Sequence, residues 1–360
     1  LLSKYAAGEC TPEEKLQVEA WYNHHFDQQE EIGDPEMQAL LAKFDKRMFA
    51  KPNRFRTLLP YAAAVLMFLS IGLIWWYQRS ETSLPQQQAS TQYNDDVMPG
   101  GNRATITLAD GRTIDLDSAA SGLLAQEQGV KITKTDDGTI VYDEQQGASN
   151  TALNTISTPR GGQYKVVLPD GSAVWLNAAS SLRYPTKFAS NERKVELMGE
   201  AYFDVSHDAK KPFLVKSGEQ TVQVLGTQFN INTYQGNVIY TTLVTGSVRI
   251  NEEASGKSVT VKPNQQVNYN GKALAVRSVS VDQYVAWRDG DFRFRETPLI
   301  DVLQQLERWY DVEVDYNNVP DAHINGVLSR NRKLSTVLLS IEETTGVKFK
   351  IEGRRLSISE

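Results

Sequence analysis

Residues 104–119 read ATITLADGRTIDLDSA, and residues 164–179 read YKVVLPDGSAVWLNAA. Each stretch alternates apolar and polar side chains, breaks at Asp-Gly, and resumes the alternation. Successive side chains of a strand point to opposite faces, and Asp-Gly accepts the positive φ of a tight turn. The pattern therefore predicts strand, turn, strand. The two stretches align: Leu108, Asp110, Gly111, Leu116, Asp117 and Ala119 match Leu168, Asp170, Gly171, Leu176, Asn177 and Ala179. That is an internal repeat of a hairpin-like unit. A third Asp-Gly, at Asp137-Gly138, lies between KITKT and TIVYD. In this setting the three aspartates read as turn residues and not as catalytic acids.

Outward from the repeat, the period of two continues through KVELMGEAYFDV, PFLVKS, TVQVLGTQFNINTY, VIYTTLVTGSVRI, SVTVKPNQQVNYN and ALAVRSV. Residues 103–279 are thus expected to be all-β, as a sandwich or a stacked β-solenoid; alternation alone does not separate the two. After Trp287 the pattern changes. FRFRE is a strand, and Thr297-Pro298 opens a helix with Leu299, Val302, Leu303 and Leu306 on one face. DVEVDY and INGVLSR are strands, LSTVLLSIEETTG is a helix, and VKFKIEG and RLSIS are strands. The order predicts a small α+β domain over 281–360.

Upstream, the run TLLPYAAAVLMFLSIGLIWWYQ at 57–78 holds no charged residue. About 20 apolar residues are what a helix needs to cross roughly 30 Å of hydrocarbon, so the run is expected to be a transmembrane helix in contact with membrane lipid. Lys43, Lys46, Arg47, Lys51, Arg54 and Arg56 precede it, whereas only Arg79 follows closely. The positive-inside rule then expects a single-pass inner-membrane protein, with its N-terminus cytoplasmic and its C-terminus periplasmic. Residues 79–102, rich in Gln, Ser, Thr, Asn, Asp, Pro and Gly, read as a flexible linker. Residues 1–50 read as two amphipathic helices. Leu16 and Trp21 lie on the apolar stripe of the first, and Leu40 and Phe44 on that of the second. The expected whole is a multi-domain membrane protein: a small all-α head, one transmembrane helix, a linker, an all-β region and a small α+β domain.

Composition narrows the functions. The 360 residues carry a net charge of −6, and basic residues beyond 150 are interleaved with acids, which argues against direct contact with nucleic acid. One cysteine excludes an intrachain disulfide. The four histidines, at 24, 25, 207 and 323, have no ligand spacing, and no metal or cofactor is expected. No nucleophile elbow, phosphate loop, zinc-protease or dinucleotide motif occurs, so no enzyme activity is expected.

The stretches TPRGGQYKVVLPDGSAVWLNAASSLRYPTKF, RKVELMGEAYFDV, KPFLV and VQVLGTQFNI follow one another in 158–231. This series resembles the FecR family of anti-sigma factors, in the form common in Bacteroidota. Pro159 to Gly162, Asp170-Gly171, Trp175 to Asn177, Gly199 to Phe203, and Leu225 to Thr227 with Phe229 match its signatures. The opening LLSKYAAGECTPEEKLQVEAWY resembles the family's sigma-binding region. The stretch 289–316 resembles the C-terminal domain of these proteins, itself similar to the short N-terminal modules of secretins and TonB-dependent transducers. The resemblance implies a transmembrane relay. The signalling domain of a TonB-dependent outer-membrane receptor would touch the C-terminal part in the periplasm. The head would hold an extracytoplasmic-function sigma factor in the cytoplasm, with Leu16, Trp21, Leu40 and Phe44 as interface candidates. It also implies a candidate self-cleavage bond, Gly226-Thr227, since some relatives cut themselves at a Gly-Thr bond in the matching motif. The plainer reading makes Gly226 a bulge or a close backbone approach. The alternative for the whole chain is a membrane-anchored envelope structural or adhesion protein.

Overall fold

The computed structural model describes residues 96–144, 152–253 and 255–359. The chain divides into two compact units, Leu1–Pro85 and Gln86–Glu360. The description below is of the second. The head at 1–50 and the apolar run at 57–78 lie outside the described residues.

In chain order the first strands are β1 (Gly101–Asn102), β2 (Thr105–Thr107), β3 (Thr113–Asp115), β4 (Gly122–Glu127), β5 (Val130–Lys134), β6 (Ile140–Glu144), β7 (Leu153–Thr158), β8 (Gly162–Val167), β9 (Ala173–Leu176) and β10 (Ser180–Pro185). There follow β11 (Arg193–Met198), β12 (Glu200–Asp204), β13 (Phe213–Ser217), β14 (Gln220–Val224), β15 (Gln228–Gln235), β16 (Val238–Thr245), β17 (Val248–Glu252), β18 (Ser258–Val261), β19 (Gln265–Tyr269) and β20 (Leu274–Ser278). They form two sheets. One runs β20-β19-β16-β15-β12-β9-β8-β6-β5-β4, with β1 added beside β8; the other runs β18-β17-β14-β13-β11-β10-β7-β2-β3.

From β8 onward the chain changes sheet after each strand or hairpin. The β8–β9 pair lies in the first sheet and β10–β11 in the second; β12 returns to the first, and β13–β14 goes to the second. Side chains from both sheets fill one core, among them Ile106, Val166, Leu182, Phe203, Phe213, Phe229 and Ile250. Alternation puts them there: Arg193–Met198 is buried at every second position, as is Leu153–Thr158. The three Asp-Gly turns share one geometry. The glycines take φ of +85°, +83° and +82° at Gly111, Gly138 and Gly171. Each aspartate accepts from the amide two residues on, at 2.9 Å from Arg112, 3.2 Å from Thr139 and 3.1 Å from Ser172.

A one-turn helix α1 (Asp282–Val285) and a 3₁₀ turn (Ala286–Asp289) lead to the C-terminal layer. That layer comprises β21 (Asp291–Pro298), α2 (Leu299–Tyr310), β22 (Glu313–Val314), β23 (His323–Ser329), α3 (Leu334–Thr345), β24 (Lys348–Glu352) and β25 (Arg355–Ser359). Strands β21 and β23 pair with each other, and β22-β25-β24 make a second small sheet. The apolar stripes of α2 and α3 close a second core, which also takes in Val97 and Ala178 from far upstream.

Two expectations need correction. The β region is a pair of sheets sharing a core, mostly antiparallel but with parallel pairs at β1–β8, β6–β8 and β11–β13, and the described residues form no solenoid. Among the described residues, no helix is long and apolar enough to cross a membrane. The longest, α2 and α3, have 12 residues each. At 1.5 Å per residue they span roughly 18 Å, and each spends its apolar side on the C-terminal core. The described structure therefore does not carry the membrane-protein fold class, the transmembrane helix, the inner-membrane localisation or the transmembrane relay: no described helix supplies the span, and the run at 57–78 lies outside the described residues.

Candidate functional site

The two cores meet across a layer of polar side chains. Gln163 of β8, Asn177 just after β9, Glu200 opening β12 and Asn230 of β15 come from the β sheets. Trp287 of the 3₁₀ turn and Arg330, just past β23, come from the other side. Arg330 is 2% exposed. Its Nη1 donates to the Trp287 carbonyl at 2.8 Å and to Gln163 Oε1 at 3.4 Å, and its Nη2 to Asn177 Oδ1 at 2.9 Å. Asn177 Nδ2 donates to Glu200 Oε2 at 2.7 Å, and Asn230 Nδ2 to Glu200 Oε1 at 2.9 Å. Trp287 Nε1 donates to Asn230 Oδ1 at 3.3 Å, which closes the ring.

The Arg330 guanidinium also lies 3.7 Å from the Trp309 ring centroid, and Trp309 Nε1 donates to the Arg330 carbonyl at 2.8 Å. Burial pulls Arg330 down to about 10, so it stays charged at neutral pH. A buried charge persists only when it is paired and hydrogen-bonded. Glu200 is the opposite charge in this ring, and the two amides carry the connection between them.

A second tie lies at the C-terminal end of α2. Arg160 Nη2 donates to the Glu307 carbonyl at 2.9 Å and also to the Val312 carbonyl, and its Nε is 3.3 Å from Asp311 Oδ1. A cation there meets a carbonyl of the last turn and the negative end of the helix dipole. Gly161 N donates to the Arg308 carbonyl at 2.8 Å.

A third tie is residues 96–104, the strap. Asp96 Oδ1 accepts from Ser335 N at 3.1 Å and Oδ2 from Ser335 Oγ at 2.8 Å, which caps α3 where its own N-cap, Lys333, supplies no side-chain bond. Val97 is buried in the C-terminal core, while Ala104 is buried in the β core. Between them Gly100 leaves no room for a side chain: a Cβ would sit 2.6 Å from the Gly161 carbonyl oxygen and 2.8 Å from that of Trp309.

The sequence-selected residues fall as follows. Leu16, Trp21, Leu40 and Phe44 lie outside the described residues. Gly226 and Thr227 precede β15. A Cβ on Gly226 would lie 2.7 Å from Cα, Cβ and Nδ1 of His207, so a close backbone approach occupies this position. Thr227 is 4% exposed and its Oγ1 donates to the Ser247 carbonyl at 3.1 Å. His207 lies against the Gly-Thr bond although it is far off in sequence. Asp170 ties its turn to Arg193, at 2.9 Å from Nη1. Among the described residues, no group of three or more His, Cys, Asp or Glu could hold a metal ion. Arg330 and the strap carry no sequence signal: an arginine after a strand and a Pro-Gly-Gly stretch are both ordinary.

Two family models match this chain. "FecR protein" covers residues 154–249, and "FecR, C-terminal" covers 291–358, which is the stretch from β21 to β25. Two crystal structures of a candidate anti-sigma factor from Parabacteroides distasonis ATCC 8503 are similar to it. One is 34% identical, covers 57% of this chain and 98% of its own, and superposes with a TM-score of 0.52. The other is 35% identical over 58% and 99%, with a TM-score of 0.53. The chain belongs to the FecR family. No match was found among curated proteins. Membership in this family speaks for a non-enzymatic protein.

The fold gives the FecR signature residues a physical role. Arg160, Asn177 and Glu200 sit in three separate motifs, and all three work at the joint with the C-terminal layer. Gly199 must be glycine, because its φ is +89° and a Cβ would fall 2.4 Å from Ser180 Oγ. Glu200 N donates to that same Ser180 Oγ at 2.9 Å.

Proposed function

We propose that this FecR-family protein is an anti-sigma-type signalling regulator. In this reading its C-terminal layer receives the signalling domain of a TonB-dependent receptor, and residues 1–50 hold an extracytoplasmic-function sigma factor through Leu16, Trp21, Leu40 and Phe44. The observation that carries it is the joint. The two family-matched regions are fastened by a buried charged ring, by Arg160 on α2 and by the strap, so a push on one is felt by the other. The receiving surface is the two-stranded β21–β23 sheet, whose β23 has Val327 51% exposed. A short open strand of this kind accepts an added strand from a partner.

The test is co-purification of the full chain with the receptor's signalling domain and, separately, with the sigma factor. Val327→Asp and a chain ending at residue 280 are both expected to lose the receptor domain and keep the sigma factor. Full retention of the receptor domain by both would place its contact on the β sheets and overturn the assignment to β23. Failure of the natural chain to bind any sigma factor would overturn the regulator reading itself.

A further inference from the structure

Helix α2 has a second face that the joint does not use. Asp301, Gln304, Gln305 and Arg308 recur at spacings of three, one and three, which is one stripe of a helix. All four are half-buried, yet among the described residues none has a hydrogen-bond or ion-pair partner for its side chain. Arg308 has a ring contact only, 4.1 Å from the Tyr234 centroid. None of their polar atoms is both fully buried and unpaired, so they keep access to solvent and can meet a ligand.

The stripe forms one wall of a cleft of roughly 460 Å³, within the usual range for small-molecule sites, which favour domain junctions. Asn232 and Tyr240 stand among the residues from the β sheet, and Tyr284 is contributed by α1. The cleft's chemistry selects its occupant. No Leu, Ile, Val, Met or Phe lines it, so neither a lipid nor an amphipathic helix has a surface to bury there. Four arginines (Arg277, Arg293, Arg295, Arg308) and four carboxylates (Glu200, Asp291, Glu296, Asp301) line it, so the formal charge of the lining cancels. A neutral ligand rich in groups that both donate and accept fits best. Carboxamides, a carboxylate and a guanidinium each fork across two neighbouring hydroxyls, and tyrosine rings offer flat faces to the C–H side of a sugar.

We propose that this cleft is a binding site for a short neutral oligosaccharide. The cleft borders β21 and reaches Asn177, Glu200, Asn230 and Trp287 of the ring, but the binding proposed here needs neither partner. It gives the regulator a ligand of its own, held between the β sheets and α2.

The experiment is calorimetric titration of the full chain with cellotetraose, maltotetraose, xylotetraose and mannotetraose, with tetragalacturonate as the charged comparison. At least one neutral tetrasaccharide should bind at a single saturable site, and tetragalacturonate at least tenfold more weakly. Gln305→Ala and the near-isosteric Gln304→Glu should each weaken binding tenfold or more without moving the thermal midpoint. Three results overturn the proposal: no neutral tetrasaccharide binds the natural chain, tetragalacturonate binds as well as the neutral ones, or both variants bind unchanged.

Discussion

Replacing Arg330 by alanine strips the Trp287 carbonyl and Asn177 Oδ1 of donors 2.8 and 2.9 Å away and removes a cation lying 3.7 Å from the Trp309 ring centroid. Both acceptors keep a backbone donor, Gly290 N for the Trp287 carbonyl and Ala178 N for Asn177 Oδ1, so the loss is that of the hydrogen bonds to a charged group, about 1.5–3 kcal/mol each, and of a desolvated cation–π contact worth about 2 kcal/mol. Against this, the protein no longer has to desolvate a guanidinium, so the sum overstates the loss. Breaking a buried pair by removing one partner costs about 3–5 kcal/mol, because the other charge stays behind. At roughly 2–4 °C per kcal/mol for a unit of this size, the thermal midpoint should fall by about 10 °C.

The assay is a thermal and urea melt of the full chain followed by tryptophan fluorescence, since Trp287 and Trp309 both border the ring. The unfolding should also split, with the C-terminal layer leaving first. Arg330→Lys keeps a charge but not the fork, and should recover less than half of the loss. A double-mutant cycle with Glu200→Gln should show coupling of at least about 1 kcal/mol. A single transition within about a degree of the natural chain in Arg330→Ala would refute the claim that this ring holds the layers together.

Gly199→Ala has nowhere to put its methyl at φ +89° beside Ser180; strain and overpacking together should cost more than about 3 kcal/mol in a urea melt. Asp282 is held below its usual value of 3.8, first by the Ser280 hydroxyl and then by Arg293 at 2.7 Å. Its folded pKa is the lower one, so its contribution is complete above the usual value and is lost as pH falls through the folded value. Asp282→Asn should therefore flatten part of the acid loss of stability between about pH 5 and pH 2, and an unchanged slope would count against the tie. For the Gly226-Thr227 bond, a blot with tags at both ends separates the two readings: the close backbone approach at Gly226 expects a single full-length band in both the natural chain and Thr227→Ala, and two fragments that vanish in the variant would mark self-cleavage instead.

The element order of the C-terminal layer was legible because each segment has one apolar face and a clear break. FRFRE, the helix after Pro298 and the helix from Leu334 all stand where periodicity puts them. The Asp-Gly turns were legible for a similar reason, since their chemistry is local. What could not be read was the facing of the two sheets. The alternation of Arg193–Met198 says which side chains go inward, not which strand lies opposite. The joint was hidden for a deeper reason: Arg330 and Asn177 are 153 residues apart, and nothing near either one marks it as half of a pair. The stretch 79–102 read as linker from its composition, yet its last seven residues, 96–102, are built into the fold, because one carboxylate and one valine find partners at the far end of the chain.

That long-range fit has a consequence for synthesis. Asp96 and Ser335 are separated by 239 positions. At about 5–20 residues per second, the strap is made roughly 10–50 s before the helix it caps. Through that interval the slot for Val97 does not exist, and the β sheets must fold with one end of their first strand untied. The C-terminal layer, in turn, cannot finish until the strap has stayed free long enough to meet it. The last helix to be made thus fastens the first described residues, and a chain cut short before α3 would leave Asp96 and Val97 without their partners.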